Sequence, residues 1–399
     1  MVRRYSVAAS VITGAVVALT GCGGGPAEDG GGARPYRVLI TAGLSTQGVL
    51  AANAETAVVA AKAGAAKVNE AGGVDGRKVE VAVVDDEGNP TTALTKIRQE
   101  IAKKKPDLVL NAGPSTITAA TLPVFKQNKI LSFNIAPTED SGDPEAYPLN
   151  FDLTGSPDDY TNGLLPYFAE KGYKSAGIIH SSTANGVAFD TAVTAALKAE
   201  GIPVLDSQEY DPAALDMTPQ LQSVQAKKPD VLLLNGYGAP VGYLLKGIEK
   251  LGWDVPVIGD GSVSATGLIA TPPPAGVLGT PQVENLVIQA LKSSVKNPDD
   301  QAVNDAITAM TSTGEIKATL IMATNYDAVP LIAAAAEKAG GADDPEALAE
   351  ALEDPAVQSA AKVAVLKKYN YSATSHGANL GAEEFAFIPP SEVVNGQYQ

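Results

Sequence analysis

Apolar positions recur at helical spacing up to residue 68 and at strand spacing from residue 79. Val58, Ala61, Ala65 and Val68 share one helical face, with Glu55, Lys62 and Lys67 elsewhere around it. Gly72-Gly73 offers the positive φ that commonly ends a helix. Asp75-Gly76 makes a second turn, and Val79, Val81 and Val83 then alternate with Glu80 and Ala82 as a strand requires. A polar loop, Asp85-Asp86-Glu87-Gly88-Asn89-Pro90, closes the unit. A helix feeding directly into a strand is the unit of an α/β layer fold.

The alternation continues. Strands are predicted at 37–41, 79–84, 107–111 and 130–133, and again at 176–180, 202–205, 230–235 and 255–259, with helical stretches between them. This pattern implies parallel sheets covered by helices on both faces. A faint internal repeat divides it in two. Lys104-Lys105-Pro106-Asp107-Leu108-Val109-Leu110-Asn111-Ala112-Gly113 resembles Lys227-Lys228-Pro229-Asp230-Val231-Leu232-Leu233-Leu234-Asn235-Gly236. Each is a charged helix end, a Pro-Asp turn, an apolar strand and an asparagine exit, as equivalent units of two lobes would be. Ligands of such sheets bind beyond the carboxyl ends of the strands. The exit loops there carry Leu44-Ser45-Thr46, Gly113-Pro114-Ser115-Thr116, Ala136-Pro137-Thr138, Ser181-Ser182-Thr183-Ala184-Asn185, Gly236-Tyr237-Gly238 and Asp260-Gly261-Ser262.

Composition narrows the picture. The 399 residues suffice for two substantial lobes. Arg3-Arg4, the short apolar run from Val7 to Leu19 and Leu19-Thr20-Gly21-Cys22 read as a leader that ends at the only cysteine. This resembles a bacterial lipobox, so 1–21 is expected to be a signal peptide and Cys22 a lipid anchor. The glycine-rich stretch that follows reads as a flexible tether over 22–35. The protein would then be anchored on the outer face of the cytoplasmic membrane. Net charge is −16, and loss of Arg3 and Arg4 with the leader leaves about −18. Such a balance repels nucleic acid, and there is no basic stripe with stacking aromatics.

Asn69-Glu70-Ala71-Gly72-Gly73-Val74-Asp75-Gly76-Arg77 with Val83-Val84-Asp85-Asp86 carries a family resemblance. So do 130–138, 252–261 and Asn325-Tyr326-Asp327-Ala328. Together they resemble the type I periplasmic-binding-protein fold, in its branched-chain-amino-acid ABC-transporter form, from about Tyr36 to about Leu352. The resemblance implies two doubly wound parallel-sheet α/β lobes joined by a three-segment hinge. Lobe one is expected over 36–152 and 275–372, with its return near Pro272-Pro273-Pro274. Lobe two is expected over 153–274 and 373–399, with a late crossing between Leu366 and Phe387. It further implies a monomeric receptor without metal or cofactor, which hands a small carboxylate-bearing ligand, an amino acid or related organic acid, to an ABC permease.

Gly113-Pro114-Ser115-Thr116 should open a helix, whose free N–H groups and positive dipole end suit a carboxylate. The family grips its ligand's carboxylate there, which points to Ser115 and Thr116, with Ala136 and Thr138 on the neighbouring loop. N-capping is the other use for those hydroxyls. Tyr237, between two glycines, corresponds to a covering aromatic. Asp260 lies near the position of the acid that takes the ligand's ammonium, although the alignment leaves it one residue out of place. Asn53 and Asn185 stand where amino-acid receptors of the family often have tyrosines, so the cleft should be roomier or more polar, and its ligand other than leucine, isoleucine or valine. Asp85-Asp86 is expected to shape its loop rather than touch a ligand. A hydrolase would need a nucleophile and base, but His180 and His376 have no triad setting and no Gly-x-Ser-x-Gly elbow exists. No Gly-x-Gly-x-x-Gly follows the first strand, which disfavours a dinucleotide enzyme. A sensor of the same fold, acting on a membrane signalling partner, has the same sequence signature as a transport receptor.

Overall fold

The computed structural model describes residues 34–399, so the leader and Cys22 lie outside the described residues. The first sheet contains β1 (Tyr36–Ala42), β2 (Val79–Asp85), β3 (Leu108–Asn111), β4 (Leu131–Asn134) and β5 (Asn150–Asp152), in the order β2-β1-β3-β4-β5 and parallel throughout. The second contains β6 (Ala176–Ser181), β7 (Val204–Tyr210), β8 (Val231–Leu234), β9 (Val257–Gly259), β10 (Leu286–Leu291) and β11 (Phe385–Ile388), in the order β11-β10-β9-β8-β6-β7. Only β11 among them runs antiparallel to its neighbour.

Both sheets are buried on two faces, which explains their continuous apolar strands. Alternate residues serve opposite faces. In β1, Val38 and Ile40 join the core beneath α1 (Val49–Glu70), while Leu39 faces α2 (Pro90–Lys103) and α3 (Ser115–Gln127). In β8, Leu232 and Leu234 enter one core of the second lobe and Val231 and Leu233 the other. That lobe is covered by α4 (Pro157–Lys171), α5 (Ala184–Ala199), α6 (Thr218–Lys227) and α7 (Ala239–Lys250), with the short α8 (Gly261–Ser264) after β9.

The turn between α1 and β2 behaves as its sequence requires. Gly73 has φ of 86°, and a Cβ there would lie 2.1 Å from the carbonyl oxygen of Arg77. Asp85 accepts the N–H groups of Ser45 and Glu87, and Asp86 accepts that of Gly88. Both aspartates therefore shape loops. The contact with Asp85 also draws the Leu44-Ser45-Thr46 loop back toward the end of β2.

The lobe limits differ from those expected. The chain does not leave the second sheet near residue 275, because Leu286–Ile288 of β10 pairs in parallel with Val257–Gly259. A three-residue β9 flanked by β8 alone would leave an apolar edge, and β10 covers it. The return comes after Leu291, and α9 (Gln301–Thr313) and α10 (Asn325–Ala339) then pack on α1. They are followed by α11 (Pro345–Leu352) and α12 (Pro355–Ala360). The late crossing also falls later than 373. His376 accepts a backbone bond from Asp152 and stacks on Phe151, and Ala378 and Leu380 join the first core. Only from Phe385 does the chain pair with the second sheet. Asp327, in the first turn of α10, fixes this returning segment. Its buried carboxylate accepts N–H bonds from Ala364, Val365 and Leu366 and the hydroxyl proton of Tyr369.

Candidate functional site

The carboxyl ends of the two sheets face one cavity of about 390 Å³. Its wall comes from the loops after β3, β4 and β5 in lobe one and after β6, β7, β8 and β9 in lobe two. This volume lies within the range of roughly 300–1,000 Å³ typical of small-molecule sites. Leu50, Ile135, Phe189 and Met322 give it apolar surface. Asp260 is the only charged side chain among the described residues that line it.

On the lobe-one side, Pro114 precedes α3 and no side chain caps that helix. Ser115 is therefore inside the first turn with its hydroxyl unspent on capping. It lines the cavity, and its Oγ accepts the backbone N–H of Asn185 across the cleft at 3.4 Å. Ala136 lines the cavity beside it. Thr116 points away and is exposed, because successive helical residues turn by about 100°. Thr138 also lies outside the lining; its N–H and carbonyl engage Ser141 Oγ in a local turn.

The lobe-two side is a connected polar network. Asp260 N-caps α8: its Oδ1 accepts the N–H groups of Ser262 and Val263, both at 3.1 Å. Its Oδ2 accepts from Asn235 Nδ2 at 2.7 Å. Burial without a cationic neighbour pushes the Asp260 carboxyl up to about 6, against the downward pull of these hydrogen bonds. Asp260 thus caps its turn, as one of the two sequence readings had it, and also lines the cavity. Tyr160, which the sequence reading did not single out, lies over Gly261. A Cβ at Gly261 would come within 2.3 Å of that ring, so only glycine lets the Asp260 loop pass beneath it.

Tyr237 and Asn185 line the cavity as well. Asn53 does not; it is buried on α1 and donates to Tyr237 Oη at 2.6 Å and to the Ala265 carbonyl at 3.2 Å. It therefore fixes the tyrosine rather than facing the cavity. Burial raises the Tyr237 hydroxyl to about 12, so it stays protonated and can still donate. Asn235 was missed as a site residue, although its place at the exit of an apolar strand, repeated at Asn111, was a visible signal. Tyr160 and Tyr210 gave no such signal, since each is brought in by packing. His180 and His376 are buried outside the cavity.

The chain is similar to known proteins over most of its length. The family described as periplasmic binding protein matches residues 40–379. The Leu/Ile/Val-binding protein BraC3 of Rhizobium johnstonii is 27% identical over 322 residues, which cover 79% of this chain and 83% of that protein. A periplasmic binding protein type 1 from Bordetella pertussis superposes with a TM-score of 0.74 at 21% identity, covering 89% of this chain and 96% of that one. An ABC-transporter solute binding protein from Rhodopseudomonas palustris, crystallised with 3,4-dihydroxybenzoic acid, gives 0.64 at 21% identity, covering 79% and 84%. A match spanning most of the chain, two parallel-sheet lobes and a cavity at their strand ends lead to one conclusion: this chain belongs to the periplasmic binding protein family and has its type I fold.

Proposed function

We propose that this protein is an extracytoplasmic receptor that holds an amino acid between its lobes and delivers it to an ABC permease. The observation that carries the reading is Asp260, the single carboxylate among the described residues that line the cavity, with no basic side chain among them. An ammonium group would neutralise it. A ligand carboxylate would take the uncapped start of α3 and the Ser115 hydroxyl, where the helix dipole favours negative charge. A phenolic hydroxyl, such as the acid in the Rhodopseudomonas structure carries, could donate to Asp260 but would leave its charge uncompensated, and benzoate has no donor at all, so the reading favours a zwitterion.

Ser115 belongs to one lobe and Asp260 to the other, so one zwitterion engages both. Such bridging contacts favour the closed form, and only that differential affinity can shift the equilibrium. No bond is made or broken, and the protein acts as a carrier rather than an enzyme. Anchoring through a lipid on Cys22 would keep it beside its permease.

Isothermal titration with the twenty amino acids and with benzoate tests this. At least one amino acid should bind more tightly than benzoate. Ser115→Ala should weaken that binding about tenfold, the equivalent of one charge-assisted hydrogen bond, without lowering the apo melting temperature. Tighter binding of benzoate than of any amino acid, or unchanged affinity in the variant, would remove the reading.

A further inference from the structure

We infer that Asn185 is a specificity-determining residue, whose side-chain amide N–H group selects an amino acid bearing a hydrogen-bond acceptor on its side chain. This rests on the amino-acid reading above and narrows it. The argument is one of hydrogen-bond polarity. The carboxylate of Asp260 can only accept when ionised, so the Asn235 atom 2.7 Å from it must be the amide nitrogen. The same orientation places Asn235 Oδ1 toward the Ser181 N–H, which can only donate, and the Ser181 hydroxyl. The second proton of Asn235 Nδ2 then points at Asn185, 3.1 Å away, and fixes that atom as Oδ1. Ser262 Oγ donates to the same oxygen at 3.2 Å.

Asn185 therefore has its acceptor fully engaged inside the wall. Its Nδ2 is left as a donor without a protein partner among the described residues, on a residue that lines the cavity. Reversing the amide would set two donors against each other at Asn235. The polarity of this wall is thus relayed from Asp260 through Asn235 to Asn185, and it ends in a donor of fixed orientation. An aliphatic side chain packed there would bury that donor unpaired, which is costly, whereas an oxygen would satisfy it. A site built to pair with a polar ligand atom discriminates strongly against the isostere lacking it.

Leucine and asparagine are similar in shape, as are valine and threonine, and differ mainly in this acceptor. Calorimetric titration of the native protein should show asparagine about tenfold or more tighter than leucine, with threonine over valine in the same direction. In Asn185→Leu the preference should fall to within about twofold. Asn185→Ala, which introduces no bulk, reads the same loss if the leucine variant does not fold. Leucine binding as tightly as asparagine in the native protein, or a preference that survives in the variants, overturns the inference and leaves the amino-acid reading standing. Binding of none of the four, with no other amino acid bound either, removes both together.

Discussion

Asn111 and Asn235 end equivalent strands, follow nearly the same sequence phrase, and are both buried. Their amides do different things. In lobe one, Asn111 Nδ2 donates to Thr121 on its own helix α3, and its Oδ1 accepts from Thr41 and from the N–H of Gly113. It holds a strand, a loop and a helix together. In lobe two, Asn235 donates to Asp260 and Asn185 in the cavity wall. The difference lies in the neighbouring strand: β9, beside β8, is followed by Asp260, whereas its counterpart β4, beside β3, is followed by Ile135. An asparagine at a strand exit is thus a scaffold or part of a site according to what the adjacent loop sets against it.

The largest effect should come from the aspartate that creates the difference. Asp260→Asn should weaken amino-acid binding by about a hundredfold, the order expected for a buried charge-assisted contact, while titration of benzoate should weaken little or improve. The pH dependence follows with a definite sign. Because the folded carboxyl sits near 6, above its unfolded value, protonation favours the unliganded fold; stability from this group is present at low pH and lost as pH rises through about 6. An ammonium ligand needs the ionised form, so affinity should drop as pH falls from 7.5 to 5, and Asp260→Asn should flatten that profile. An unchanged slope would separate the asparagine comparison from ligand chemistry altogether.

Asn235→Ala should come next, with roughly tenfold lower affinity and a loss of about 1–3 kcal/mol in denaturant unfolding, because Asp260 and Ser181 lose a buried partner. Asn111→Ala should show the complementary result: a stability loss of about 1–2 kcal/mol with affinity within about twofold of native. If Asn111→Ala abolished binding while the protein stayed folded, the contrast between the two lobes would be false. The smallest effect should be that of Thr116→Ala, whose exposed side chain faces away from the cavity. Titration should give native affinity, in contrast with Ser115→Ala.

Much of the architecture was legible because buried parallel strands leave apolar runs, and their helices leave a period near four residues. Each of the eight expected strands has a counterpart near its position, although β7 begins two residues late and runs five further, to Tyr210. The missed strands of the two main sheets, β5, β10 and β11, lie at or next to an edge. β5 has three residues, and β10 and β11 acquire their meaning only from pairing with each other and with β9. Of the proposed site residues, Ser115, Ala136, Asn185, Tyr237 and Asp260 meet at one cavity, while Asn53 stands behind it and Thr116 and Thr138 outside. The loops were identifiable from strand exits. Which residue within each loop turns inward depends on helix phase and local turns, where one position's change reverses the direction of a side chain.

Local patterning alone determined the layer fold, the division into two units and the ends of the strands at which a ligand would be met, since these depend on period and turn chemistry within short windows. Tertiary structure decided the true crossings between lobes and the chain of hydrogen bonds from Asp260 through Asn235 to Asn185. Those depend on partners brought together from 25 and 50 residues apart, and the direction of an amide is set only by the donor or acceptor it meets.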